Sequence, residues 1–149
     1  MRFVLILTLT ALAVIPPAFA ANTDKSLDTQ ELTALAAKAE RATPKDQCYL
    51  YAELVLSMSV LARQQLDNGE TAQASASLKA IQAYTAKIHE DMTDKSRKLK
   101  DAQIMMRHTA FRIKELMMSA SLNDQAAFQS TLKQLDQVQS QMMLAVFQK

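Results

Sequence analysis

The stretch "HEDMTDKSRKLKD", from His89 to Asp101, decides between two folds for this chain. It is strongly polar and interrupts a long segment whose apolar residues recur at helical spacing. If a helix passes through it unbroken, the molecule is built around one long rod. If the chain turns within it, the same apolar residues line a compact bundle.

The apolar pattern on both sides of this stretch favours an unbroken helix. It keeps a seven-residue period without a change of phase, and no glycine or proline interrupts it. Two acid-before-base pairs, Asp91/Lys95 and Asp94/Lys98, support a helix by roughly 0.2–0.5 kcal/mol each. We therefore expect one helix over about residues 71–120. Its heptad positions are Leu78, Thr85, Met92, Leu99, Met106, Ile113 and Ala120, together with Ile81, Ile88, Lys95, Ala102, Thr109 and Leu116.

A corner near Thr93–Ser96 is the alternative, because it divides the chain into helices of nearly equal length. The fold class is all-α in both cases. The expected form consists of antiparallel helical hairpins around the long third helix, and the alternative is a compact up-down four-helix bundle. The long form exposes much apolar surface, which favours self-association as a homodimer.

Three other helices are expected at about residues 28–42, 45–68 and 123–147. Asp28 and Glu31 have the spacing of a capping box at the first helix. Pro44 suits the first turn of the second helix, with Thr43 as its cap, and Gly69 suits its end. The residues expected to face the core are Tyr51, Leu54, Val55, Met58, Leu61, Ala62 and Leu66 in the second helix, and Phe128, Leu132, Leu135, Val138, Met142 and Val146 in the last.

The first residues have the layout of a secretory signal peptide. A basic Arg2 precedes an apolar run, two prolines and the small-residue pattern Ala18-Phe19-Ala20. We expect residues 1–20 to be removed and residues 21–149 to form one helical domain without a transmembrane segment. The expected location is periplasmic or secreted.

The composition excludes several functional classes. One glycine cannot supply a phosphate-binding loop, a dinucleotide-binding turn or a nucleophile elbow. The formal net charge of +2 gives no global field of the kind that a nucleic-acid binder has. The basic run "KSRKLK", with Arg107 and Lys114, either contacts an anionic partner or forms a solvated face neutralised by nearby acids. We expect no nucleic-acid partner and no cofactor.

The stretch "MMRHTAFRIKELMMSA", from Met105 to Ala120, raises the question of a soft-metal site. Thioethers select Cu(I), so Met105, Met106 and His108 are candidate ligands, completed across helices by Met117, Met118 or Cys48. Methionine is also a flexible filler of apolar cores and adaptable surfaces, and we expect that role here. Cys48, the single cysteine, is expected to be buried, with a disulfide-linked dimer as the alternative.

Two stretches resemble known helical proteins. "RHTAFRIKELM", followed by "TLKQLDQVQSQMMLAVFQK", is similar to uncharacterised small exported bacterial all-helical proteins. The turn "DNGETAQASASLKAI" resembles the corner of a tetratricopeptide hairpin, although the Trp, Tyr and Pro of that repeat are missing. These resemblances imply an exported helical protein and supply no mechanism.

The expected function is therefore non-enzymatic: a binding, scaffold or holdase-like role towards a protein partner or a second copy. Copper or other soft-metal binding is the alternative. An enzyme using Glu53, His89 or Asp91 between helices is a third hypothesis, and no motif supports it.

Overall fold

The computed structural model describes residues 28–93 and 95–147, and these residues form five α-helices and no β-strand. The helices are α1 (Thr29–Arg41), α2 (Pro44–Asp67), α3 (Thr71–Asp91), α4 (Leu99–Ser119) and α5 (Gln125–Phe147). The predicted all-α class is confirmed. The signal peptide predicted over residues 1–20 lies outside the described residues.

The ends of α1 and α2 follow from local sequence. The Asp28 side chain accepts a hydrogen bond from the backbone N–H of Gln30 at 3.0 Å, which caps α1. Thr43 occupies the N-cap position of α2 as predicted, but its hydroxyl donates to the Asp46 carboxylate at 2.8 Å and does not accept a bond from a backbone N–H. Gly69 has a φ of 77°, the left-handed conformation that glycine adopts without strain, and it ends the α2 helix as predicted.

The prediction of one continuous helix over residues 71–120 is wrong. α3 ends at Asp91 and α4 begins at Leu99, so the chain turns where the alternative placed a corner. The heptad pattern did not reveal the break because residues 92–98 make up one full heptad. Apolar positions on both sides keep the same phase whether the intervening residues are helical or not.

Hydrogen bonds within the corner replace those of a helix. The Thr93 N–H donates to the Ser96 hydroxyl at 3.1 Å, and the Ser96 N–H donates to the Thr93 carbonyl at 3.1 Å. Serine and threonine compete with helical hydrogen bonding in this way. The Arg97 N–H then donates to the carbonyl of Lys45, at the start of α2, at 2.7 Å. The corner is thus tied to another helix.

Lys98 completes the corner in a conformation that is unfavourable for a lysine. Its φ of 50° and ψ of 31° are left-handed, and it is the one non-glycine residue with positive φ in the described part of the chain. This conformation costs about 1–2 kcal/mol. Its ammonium group lies 4.6 Å from the centroid of the Tyr49 ring, a cation–π contact that offsets part of the cost.

The helices pack as two hairpins side by side. α2 packs against α3 and α4, and α5 packs against α3 and α4, whereas the α3 and α4 backbones do not approach each other closely in the described residues and lie diagonally in the bundle. The Gln82 amide donates to the Thr131 hydroxyl, and His89 is hydrogen-bonded to Gln141, so α3 and α5 run in parallel. The α2/α3 and α4/α5 hairpins therefore have the same orientation in a four-helix bundle.

α1 covers the outer side of the first hairpin. Its Leu32 lines a cleft together with Leu61 of α2, whereas Ser59 of α2 accepts a hydrogen bond from Arg112 of α4. Side chains two positions apart on a helix, such as Ser59 and Leu61, point in nearly opposite directions. α1 and α4 therefore flank α2 on opposite sides. The Glu40 carboxylate of α1 also lies 3.6 Å from the Lys87 ammonium of α3.

One apolar core joins all five helices, and most heptad residues predicted to face it are buried. Thr85 and Thr109 are buried at two of these positions, where their hydroxyls donate to the carbonyls of Ile81 and Met105. The described residues contain no buried side-chain nitrogen or oxygen without a hydrogen bond. Lys95, also a predicted heptad position, is exposed because it belongs to the corner.

Two phenylalanines test this division between core and surface. Phe128 is 2% exposed and Phe111 is 64% exposed. We expect Phe128→Ala to lower the free energy of unfolding by about 3–5 kcal/mol, because it leaves a cavity in the core. Phe111→Ala is the matched control and should change it by less than about 0.5 kcal/mol. Urea unfolding followed by circular dichroism measures both, and equal losses would contradict the packing described above.

Candidate functional site: an apolar face on α4 and α5

Large apolar side chains are exposed on one part of the molecule. All those identified in the described residues belong to α4, α5 or the loop between them: Phe111, Met118, Leu122, Met143, Leu144 and Phe147, which together are called the α4/α5 apolar face. Leu122 is 85% exposed and Phe147 is 80% exposed. Exposed groups of large apolar residues often mark interaction sites. This face is the strongest candidate functional feature of the molecule.

Helical geometry explains why Phe111 and Met118 point outward. They are seven residues apart and therefore share a face of α4, on the side opposite Met106 and Ile113, which are fully buried. Sequence analysis had assigned Met118 only as a remote metal ligand and had not singled out Phe111. The signal that it missed was a second seven-residue apolar stripe, Ile104, Phe111 and Met118, running along the outside of the same helix.

Basic residues accompany this stripe at the same spacing. Lys100, Arg107 and Lys114 are seven residues apart and exposed, and none forms an ion pair with another described residue. Arg107 and Lys114 lie four residues before and three residues after Phe111, so they flank it on the helix. The α4 side of the face thus combines apolar and cationic groups.

The candidate copper ligands point in different directions. Met106 is fully buried in the core, Met105 is half-buried and His108 is exposed. Successive helical residues differ by about 100° around the axis, so the Met106 and His108 side chains diverge. Of the remaining candidates, Met117 is half-buried and Met118 is 79% exposed. The structure therefore does not bring Met105, Met106 and His108 together around one point.

Cys48 is confirmed as a buried residue. It is fully inaccessible to solvent and is not part of a disulfide. Removal from water, with a smaller contribution from the negative charge of Asp91, raises the pKa of the thiol from 9.0 to about 12. A protonated, enclosed thiol is a poor nucleophile and a poor metal ligand. It also cannot reach another chain without unfolding of the surrounding core.

The residues of the enzyme hypothesis lie in separate places. His89 lines an open cleft of about 930 Å³ on α3 and α5, where most other lining residues are glutamines or charged. Glu53 lines a different cleft, of about 1010 Å³, between α1, the start of α2 and Lys98. Asp91 is half-buried near Cys48. The structure therefore does not bring Glu53 and His89 into one site.

The described residues contain no group of three or more His, Cys, Asp or Glu side chains that could hold a metal ion. None of their helices combines the length and the apolar character needed to cross a membrane.

Comparison of the chain with protein-family models, with curated proteins and with solved structures gave no match. The resemblance to small exported helical proteins therefore stays a prediction.

The burial of Cys48 predicts slow thiol chemistry. At pH 8 we expect iodoacetamide to alkylate the folded protein at least about tenfold more slowly than the urea-unfolded protein, because the core encloses the sulfur and its raised pKa depletes the thiolate. Mass spectrometry of timed samples measures both rates. Similar rates, or a disulfide-linked dimer formed by the folded protein in air, would contradict the enclosed position.

The same thiol predicts a loss of stability at alkaline pH. The unfolded thiol ionises above its pKa of 9.0, whereas the folded thiol stays protonated until about pH 12. The unfolded state therefore binds fewer protons in this range, and stability falls by up to about 1.4 kcal/mol per pH unit from this group. Lysines and tyrosines also titrate here, so the comparison is with Cys48→Ala. In urea titrations the variant should lose less stability than the parent between about pH 8.5 and 10.5, the range in which the unfolded thiol ionises. An identical loss would contradict the prediction.

Proposed function

We propose that this chain is an exported, non-enzymatic binding protein whose α4/α5 apolar face holds segments of other polypeptides that expose apolar and acidic side chains. The observation that carries the proposal is the placement of the exposed large apolar residues. α1 packs on the α2/α3 hairpin, while exposed large apolar residues, among them Phe111, Met118 and Phe147, lie on the α4/α5 hairpin.

The chemistry of this face suits an adaptable contact. Burying one Phe, Leu or Met side chain contributes roughly 1.5–3 kcal/mol, so a few such contacts provide useful affinity even after the entropic cost of binding. Met118 and Met143 are flexible and polarisable, and such residues fit partners of different shapes. This supports a holdase-like or scaffold role in preference to recognition of one rigid ligand.

The charges favour an acidic polypeptide. Lys100, Arg107 and Lys114 attract carboxylates and accelerate association with a partner of opposite charge. Glu115 is also exposed on α4, between Phe111 and Met118 in sequence, and Asp136 is exposed on α5. These acids would repel an anionic lipid surface, whereas a polypeptide can place its own cations opposite them. We therefore favour a polypeptide partner over a membrane.

Export is part of the proposal. Residues 1–20 have the basic, apolar and small-residue segments of a signal peptide, and this pattern supports a periplasmic or secreted location. A holdase in such a compartment would act without a nucleotide, and a chain with a single glycine offers no phosphate-binding loop.

The test is the suppression of aggregation by residues 21–149. We expect the protein to delay light scattering from reduced α-lactalbumin, an acidic client, more than from reduced lysozyme, a basic one, because the stripe on α4 is cationic. Phe111→Ser with Phe147→Ser should remove at least about 80% of the effect, since both anchors are lost. Gln73→Ser with Ala83→Ser, two exposed positions on α3, is the matched control and should leave the effect unchanged.

Three outcomes would contradict the proposal. In the first, the protein delays the aggregation of neither client. In the second, the variant with both Phe111→Ser and Phe147→Ser protects as well as the parent. Alternatively, the parent sediments with phosphatidylglycerol vesicles and loses only that property in the variant, which would identify a membrane-binding face. Circular dichroism of each variant confirms that the fold is retained.

A further inference from the structure

We propose that the corner between α3 and α4 can open into one continuous helix, so that two copies of this chain exchange their α4/α5 hairpins and form a domain-swapped dimer. In this dimer the α2/α3 hairpin of one copy packs against the α4/α5 hairpin of the other. The partner is a second copy, and the surface that it recognises is the one that α4 and α5 occupy in the monomer.

The sequence of the corner is compatible with a straight helix. Residues 92–98 contain no glycine or proline, and their number, seven, is one full heptad. If they become helical, Ile88 and Leu99 remain on a common face, because the seven-residue phase is continuous across the corner. The acid-before-base pairs Asp91/Lys95 and Asp94/Lys98 in the sequence would support that helix.

The bent form of the corner depends on few interactions and on one strained residue. Its anchors are the Thr93 and Ser96 hydrogen bonds, the Arg97 N–H bond to Lys45, an exposed pair in which Arg97 lies 3.5 Å from Asp46, and the cation–π contact of Lys98 with Tyr49. Lys98 holds a left-handed conformation, with a φ of 50°, that lysine rarely adopts. A straight helix relieves this strain and restores the regular backbone hydrogen bonds of the corner.

The exchange preserves the contacts that hold the hairpins together. In the monomer the two hairpins meet through α2 with α4 and through α3 with α5, and each hairpin is closed by its own short turn. A swapped dimer forms the same contacts between copies and changes only the corner. The equilibrium is then set by the corner and by the protein concentration.

The first experiment refolds residues 21–149 from urea over a range of protein concentrations and measures mass by size exclusion with light scattering. The dimer fraction should rise with concentration. Lys98→Gly favours the bent corner and weakens a straight helix, so it should weaken dimerisation by at least about tenfold. Lys79→Gly is the matched control because Lys79 is exposed in the interior of α3 in both forms, and its monomer–dimer ratio should match the parent. Thr93→Ala with Ser96→Ala should increase the dimer fraction.

The second experiment separates a swap from association through the surface. The side-chain amide of Gln134, in α5, donates to the backbone carbonyl of Gln82, in α3, at 2.9 Å. The two residues are therefore adjacent. A short bismaleimide is added to a variant that carries Gln82→Cys and Gln134→Cys and in which Cys48→Ala removes the native thiol. Isolated dimer should give a covalent dimer on a denaturing gel, and isolated monomer should give a cross-linked monomer.

The proposal is overturned if no variant dimerises at any concentration, since the Thr93→Ala and Ser96→Ala protein removes the corner bonds. It is also overturned if the isolated dimer cross-links only within each chain, because that result identifies two intact monomers in contact. Equal effects of Lys98→Gly and Lys79→Gly would show that the corner does not control association. Circular dichroism separates these outcomes from loss of folding.

Discussion

The packing of the α2/α3 hairpin against the α4/α5 hairpin is the contact on which the rest of the structure depends. Each helix has an apolar side that is covered only when the two hairpins meet, and the largest buried side chains come from α2, α3, α4 and α5. This burial requires the chain to reverse between Asp91 and Leu99. The hydrophobic gain is large enough to hold Lys98 in a left-handed conformation that costs about 1–2 kcal/mol.

The same contact explains which parts of the fold were predictable. The period of apolar residues identified the inward faces of α2 to α5, and Gly69 identified the α2/α3 turn, because both signals are local. The corner was not predictable from period alone. It is held by the Arg97 N–H bond to Lys45, a residue 52 positions earlier, and such a tertiary contact leaves no periodic trace.

The candidate site was less predictable than the fold. Sequence analysis treated methionines as core or adaptable surface and could not assign each one. The structure separates them: Met106 and Met142 are fully buried, whereas Met118 is 79% exposed. The outer stripe with Phe111 could have been found from its seven-residue spacing. The exposure of Leu144 and Phe147 could not, because it depends on where α5 lies relative to α3 and α4.

The most direct test of this architecture is a distance between the far ends of α3 and α4. Spin labels at Gln73→Cys and Met118→Cys, both exposed positions, are measured by pulsed electron spin resonance in monomeric protein with Cys48→Ala. The bundle predicts roughly 15–30 Å, because both labels lie at the same end of helices that are diagonal in a bundle whose neighbouring helices are roughly 8–10 Å apart. A continuous helix would separate them by roughly 68 Å at 1.5 Å per residue, and that distance in the monomer would contradict the account.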